Sequence, residues 1–162
     1  MVRKLFQTDR DYVLTIVRVV VGVVFVAHGA QKVLGWFGGY GFSATMNGMQ
    51  HMGIPAPFAL LAIVAEFFGG LGLMVGLLSR VAAFGIFVEM LVAVVKVHGA
   101  NGLFMNWAGN QRGEGFEYHL LALALLLVLM VRGAGALSLD RLIANWPGPE
   151  RTRSRTHSPA AA

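Results

Sequence analysis

The chain has 162 residues, 56% of them hydrophobic and 13% charged, with a mean hydropathy of +0.65; a soluble domain carries nearer a quarter charged, so this is an integral membrane protein. It contains no cysteine, which excludes disulfides, thiol catalysis and iron–sulfur ligation by the chain itself. The net charge of +5 reads as the basic, cytoplasm-facing side of a membrane protein and not as a nucleic-acid surface.

Residues 1–11 form a polar head with Arg3, Lys4 and Arg10, and the first apolar helix covers 12–34. A charged lead and small residues near Ala27 and Ala30 mimic a secretory signal. The run is too long for one, Arg18 interrupts it, and further spans follow. The connection that comes next opens with the turn-rich, aromatic WFGGYG from Trp36. Phe42, Met46, Met49 and Gly53 then fall at helical spacing, as in a short amphipathic helix on the membrane surface. Met46, Met49 and Met52 read as part of that surface and not as a copper site. Pro55 and Pro57 punctuate the entry to the second span, 59–78.

The chain is organised around this second span. It is long enough to cross a bilayer, which takes about 20 residues, yet it carries Glu66 deep within an apolar run. A carboxylate there must face protein, water or a partner charge. Ala62, Glu66, Gly69, Gly70 and Leu73 share one face, and small residues let helices approach closely in lipid. Glu66 is therefore expected to point into a helix bundle.

Ser79 and Arg80 make a very short turn before the third span, 81–97, and short turns force antiparallel neighbours. A second connection, rich in Gly and Asn, leads to the fourth span, 116–131. After a break at 132–135, Ser138 is placed to cap a short amphipathic helix bearing Leu139, Leu142 and Ile143, with Trp146 as interface anchor. Residues 146–162 read as a disordered basic tail. The expected fold is an all-α, integral membrane four-helix bundle with short interfacial helices. Both termini are expected in the cytoplasm, where Arg3, Lys4, Arg10, Arg80, Arg132 and Arg141 would gather. His28-Gly-Ala and His98-Gly-Ala stand at the outer ends of the first and third spans, a pattern that a parallel duplication of hairpins would produce.

The ionisable residues within the spans mark function by default. Arg18 and Glu89 are read as a structural ion pair, the long arginine reaching toward the carboxylate. His28, Lys32, Glu66 and Glu117 converge on the outer half as proton donors and carriers. Gln31, Lys96, His98, Asn101 and His119 surround them as ligand-binding groups. Such a pocket suits a polar ring with an apolar tail, and a quinone headgroup fits. The alternative for His28 and His98 is capping of helix ends, since each precedes a glycine. No metal-ligand motif or phosphate loop is present.

Together these segments resemble the DoxX family of small bacterial membrane proteins. The resembling pieces are HGAQKVLGWFGGYG from His28, GIPAP from Gly53 and AEFFGGLGLMVGLLSRVAA from Ala65. HGANGLF from His98, GFEYHLLALALLL from Gly115 and GAGALSLD from Gly133 complete the set. The resemblance implies an inner-membrane protein with four spans. Some relatives are linked to quinone-coupled oxidation of sulfur compounds and others to membrane redox complexes with soluble partners. The expected function is a quinone-interacting component, such as a subunit of a quinone-dependent oxidoreductase. The alternatives are a non-catalytic anchor or scaffold for soluble redox enzymes and a small-molecule transporter, which would need a homodimer to build a lumen.

Overall fold

The structure, a computed structural model, describes residues 5–146, and every regular element among them is helical. Helix α1 is Tyr12–Leu34, α2 is Gly41–His51, α3 is Ala56–Val75, α4 is Ser79–Ala93, α5 is Glu117–Arg132 and α6 is Leu139–Ala144. A five-residue π turn, Val94–His98, and a 3-10 turn, Gly99–Asn101, extend α4. Among the described residues, three helices are long and apolar enough to span a bilayer: Tyr12–Leu34, Ala56–Val75 and the extended Ser79–Asn101. The tail expected to be disordered lies, beyond Trp146, outside the described residues.

Local chemistry sets the helix ends. Asp11 starts α1: its carboxylate accepts from the amides of Val13 (2.7 Å) and Leu14 (3.3 Å). Pro55 stands at the N-cap of α3 and Pro57 lies in its first turn. The link between α3 and α4 is Gly76–Leu78, not Ser79–Arg80 as the sequence suggests. Gly76 stops α3 because it takes the left-handed conformation, φ +73°, that a side chain disfavours.

Helix α3 sits between α1 and α4, and two adjacent glycines divide the work. Gly70 faces α1, where an added Cβ would stand 2.7 Å from the Val26 amide nitrogen; Gly69 faces Ile86 of α4. Backbone-to-backbone approach of this kind supplies the packing that lipid-solvated helices lack otherwise. A side chain at position 70 would strike main chain that cannot move aside, so Gly70→Leu should destabilise the protein by about 3 kcal/mol, the upper end of the usual overpacking range. Unfolding in detergent micelles measures this. Val21, Phe25, Leu73, Ile86, Leu126 and Leu129 form the core between α1, α3, α4 and α5. Val13, Ile16, Val20 and Val23 stay exposed on the outer face of α1.

Arg18 corrects the sequence reading. It does not pair with Glu89. Its guanidinium is buried, 1% exposed, and donates to main-chain carbonyls only. Nη1 donates to Leu73 and Met74 (2.9 Å to Met74), Nε to Ala134 (2.8 Å) and Nη2 to Leu137 (2.6 Å). The first two belong to the last turn of α3, whose carbonyls have no partner within the helix. Asp140 completes this end: its two carboxylate oxygens accept from the amides of Leu78 (2.6 Å) and Ser79 (2.8 Å), capping α4 from 62 and 61 residues further along the chain. Glu89 lies ten residues along α4 from Ser79, about 15 Å by helical rise. That separation is why the expected pair does not form.

Candidate functional site

At the opposite end of α1, Lys32 occupies the last turn. Its ammonium contacts the Glu66 carboxylate of α3 and lies 3.0 Å from Glu89 Oε1 of α4. The Glu66 and Glu89 side chains are 3% and 7% exposed, that of Lys32 27%. One cation thus serves two buried carboxylates from two helices. If all three groups are ionised the cluster carries one net negative charge, which a proton or a second cation can neutralise. The second oxygen of Glu89 is buried with no hydrogen-bond partner among the described residues. An ammonium has three donors, so Lys32 retains one after meeting both carboxylates.

Lys32 and Glu89 of this cluster form the polar end of an open cavity of about 840 Å³ between α2, α3 and α4. Met49 and Met52 line it from the α2 side, Phe58 and Leu61 from α3, and Phe84 and Val88 from α4. Small residues make the room: Gly48, Ala62, Ala65 and Gly85 all border it. Gln31, Lys96 and His98 join Lys32 and Glu89 at the polar side. The π turn in α4 carries Lys96 and His98; such turns insert one extra residue per turn and recur at functional sites.

A second group of polar rings lies on α5 and its neighbours. The rings of His98 and His119 are 4.2 Å apart, those of Tyr118 and His119 5.4 Å, and those of His28 and Tyr118 6.1 Å. The Tyr118 hydroxyl and His119 Nδ1 are buried without a hydrogen-bond partner among the described residues.

The structure therefore brings together Lys32, Glu66 and Glu89, and sets Gln31, Lys96 and His98 around the same cavity. Glu117 stands elsewhere. Its carboxylate accepts from the Met105 amide (3.0 Å) and Trp107 Nε1 (3.2 Å), which fastens the connection between α4 and α5. Asn101 Nδ2 donates to the Glu114 carbonyl (3.0 Å), and His98 Nδ1 donates to the same oxygen (2.8 Å). Gln31 also closes a turn, donating to the Phe37 carbonyl (3.2 Å). His28 is exposed, with its ring toward Tyr118. Sequence reasoning assigned Glu89 to the wrong partner and missed Tyr118. The stripe of Gly85, Glu89 and Lys96 along the third span was the available signal, since it places Glu89 on the face that carries the cavity.

Three apolar spans around a buried ion-paired cluster define a multi-pass membrane protein. The chain belongs to the DoxX family, whose family model matches residues 13–99. It is similar to an uncharacterized protein of Haemophilus influenzae, 36% identical over 133 residues covering 81% of this chain and 90% of that protein. It is also similar to the Escherichia coli inner membrane proteins YqjF (29% identical, 82% of this chain and 93% of the relative) and YphA (28% identical, 84% and 94%). No solved structure gives a significant match. With its family, its relatives and its apolar spans, the chain is a multi-pass inner-membrane protein.

Proposed function

We propose that this DoxX-family protein binds a quinone in the cavity between α2, α3 and α4 and serves a membrane redox system. The observation that carries this reading is the pairing of a roughly 840 Å³ space, walled by Phe58, Leu61, Phe84 and Val88, with an ionic cluster at one side. Ligand sites combine mostly apolar walls with a few fixed polar groups in this way. A bound quinone supplies the redox chemistry. The chain's own residues hold, orient and exchange protons. Lys32 offers its remaining N–H to an acceptor oxygen, the unpartnered Glu89 oxygen receives or returns a proton, and Glu66 keeps the ammonium in place. The apolar walls hold a hydrocarbon tail and keep water from the reacting end.

The same reading takes α5 as a fourth span of a four-helix bundle, with both termini in the cytoplasm. Leu120, Leu121, Leu127 and Val131 of α5 are exposed as lipid-facing residues would be. Arg10, Arg80, Arg132 and Arg141 gather at the end away from Lys32, which supports a cytoplasmic assignment for that end.

Val88→Trp fills the cavity without touching a charge, and position 88 is 42% exposed, so the fold should tolerate it. Binding of a labelled quinone to the purified protein should fall by tenfold or more, on the order of the 1.4 kcal/mol that one such factor represents. Unchanged binding would contradict a quinone in this space. A second reading, an anchor for soluble redox enzymes, draws on the outer connection, where Phe104 and Trp107 stay exposed while Glu117 and Asn101 hold the main chain. An anchor would keep its partner in Val88→Trp.

A further inference from the structure

The end of the molecule away from Lys32 holds a second cavity, of about 720 Å³, bordered by residues 7–10, the start of α4 and α6. Arg10, Arg80 and Arg141 line it. Its acid, Asp9, is already ion-paired with Arg132. The three guanidiniums differ in what they have left to give. Arg80 is largely spent on main chain: it donates to the Met130 (2.5 Å), Val131 (2.7 Å) and Gln7 (3.1 Å) carbonyls. Arg141 makes one long bond, from Nη1 to the Ala136 carbonyl (3.4 Å). Arg10 makes no hydrogen bond or ion pair among the described residues. An arginine has five N–H donors in a fixed fork that suits phosphate oxygens. The cavity thus presents three fixed positive charges, with most donors of two of them uncommitted.

The setting of this cavity identifies the ligand. Arg10 precedes α1 by two residues and Arg80 is the second residue of α4, so the charges lie at the ends of apolar spans, where headgroups lie. Arg141 of α6 and Asn145 just after it line the cavity, while Leu142 and Trp146 remain 65% and 75% exposed. Exposed apolar groups beside a cationic cavity match a ligand with a phosphate head and hydrocarbon chains. We infer that this cavity binds the phosphate of an anionic phospholipid, held by Arg10 and Arg141 while Arg80 supplies fixed charge.

The test uses the full chain in nanodiscs of phosphatidylcholine with a minor fraction of phosphatidylglycerol, with the lipids retained on purification counted by mass spectrometry. Phosphatidylglycerol should be enriched over its share of the bilayer. Arg10→Gln and Arg141→Gln should each lower that enrichment roughly fivefold, the usual effect of one basic residue at a membrane surface. Arg80 is left intact because it also holds the end of α5, and unchanged helical circular dichroism in both variants confirms the fold. Enrichment equal to the bulk share, or unaltered in the double variant, overturns the inference. Inorganic phosphate is the second arm. Lipid enrichment that persists in excess phosphate supports the lipid, whereas displacement of phosphatidylglycerol by phosphate alone assigns the site to the free anion and overturns the lipid.

Discussion

Lys32→Met should destabilise the protein by about 3–5 kcal/mol, the loss expected when one partner of a buried ion pair is removed and the other is left behind. The effect is large here because two carboxylates depend on the same ammonium, and both are nearly inaccessible to water. The charges, not the methylene packing, carry the penalty. Lys32→Met combined with Glu66→Gln and Glu89→Gln should therefore recover most of the stability, since a buried ionic group replaced throughout by neutral groups of similar volume is often tolerated. Chemical unfolding of single and triple variants in one detergent separates the two outcomes. If the single variant is as stable as the parent, the cluster is solvated and is no buried site. If the triple variant stays as unstable as the single one, packing dominates and charge does not.

The second large effect is expected at the other end. Arg18→Met removes the side-chain donor from the carbonyls of Leu73, Met74, Ala134 and Leu137, of which Leu73 keeps the Gly76 amide at 3.3 Å. Hydrogen bonds to a charged group contribute about 1.5–3 kcal/mol each, and since the four are not independent we expect a loss of at least about 3 kcal/mol. Arg18→Lys should restore only part, because an ammonium has three donors and no planar fork. The damage should also be local. Amide hydrogen exchange should accelerate over residues 76–80, where Asp140 caps α4, and over 134–140, while amides near Lys32 keep their protection. Uniform acceleration along the chain would contradict a local lock.

The two clusters differ in how far they could be read before the structure. Glu66 was legible as inward-facing, because a carboxylate amid Ala62, Gly70 and Leu73 has no other tolerable place. Lys32 was legible as a member of the outer set, but its exact partners were not. Depth counted from helix ends placed Arg18 within reach of Glu89, while the staggered packing of α1 against α3 puts Arg18 level with Leu73 and Met74. Main-chain carbonyls leave no mark in a sequence, so the real partners of Arg18 and Arg80 were invisible there. Asp140 was equally hidden, since nothing local ties a residue beyond α5 to the start of α4.

The connection between α4 and α5 shows the same limit. Glu117 reads as a proton carrier, and His98 and Asn101 as ligand-binding groups, because they are polar and near helix ends. In the fold they satisfy a Gly-rich backbone that has no secondary structure to do so. The π turn at Val94–His98 could not be seen either, because periodicity over five residues does not distinguish it from a regular helix. The cavity follows from small residues on three separate helices, and only their assembly reveals it.

The most direct test of the proposed site is photo-cross-linking of an azido-quinone to the full chain in membranes, followed by mapping of the labelled residues. Labelling should concentrate on Met49, Leu61, Phe84 and Val88, and excess unlabelled quinone should suppress it. Labels spread over the outward faces of α1 and α5, unaffected by competition, would contradict a quinone site beside Lys32.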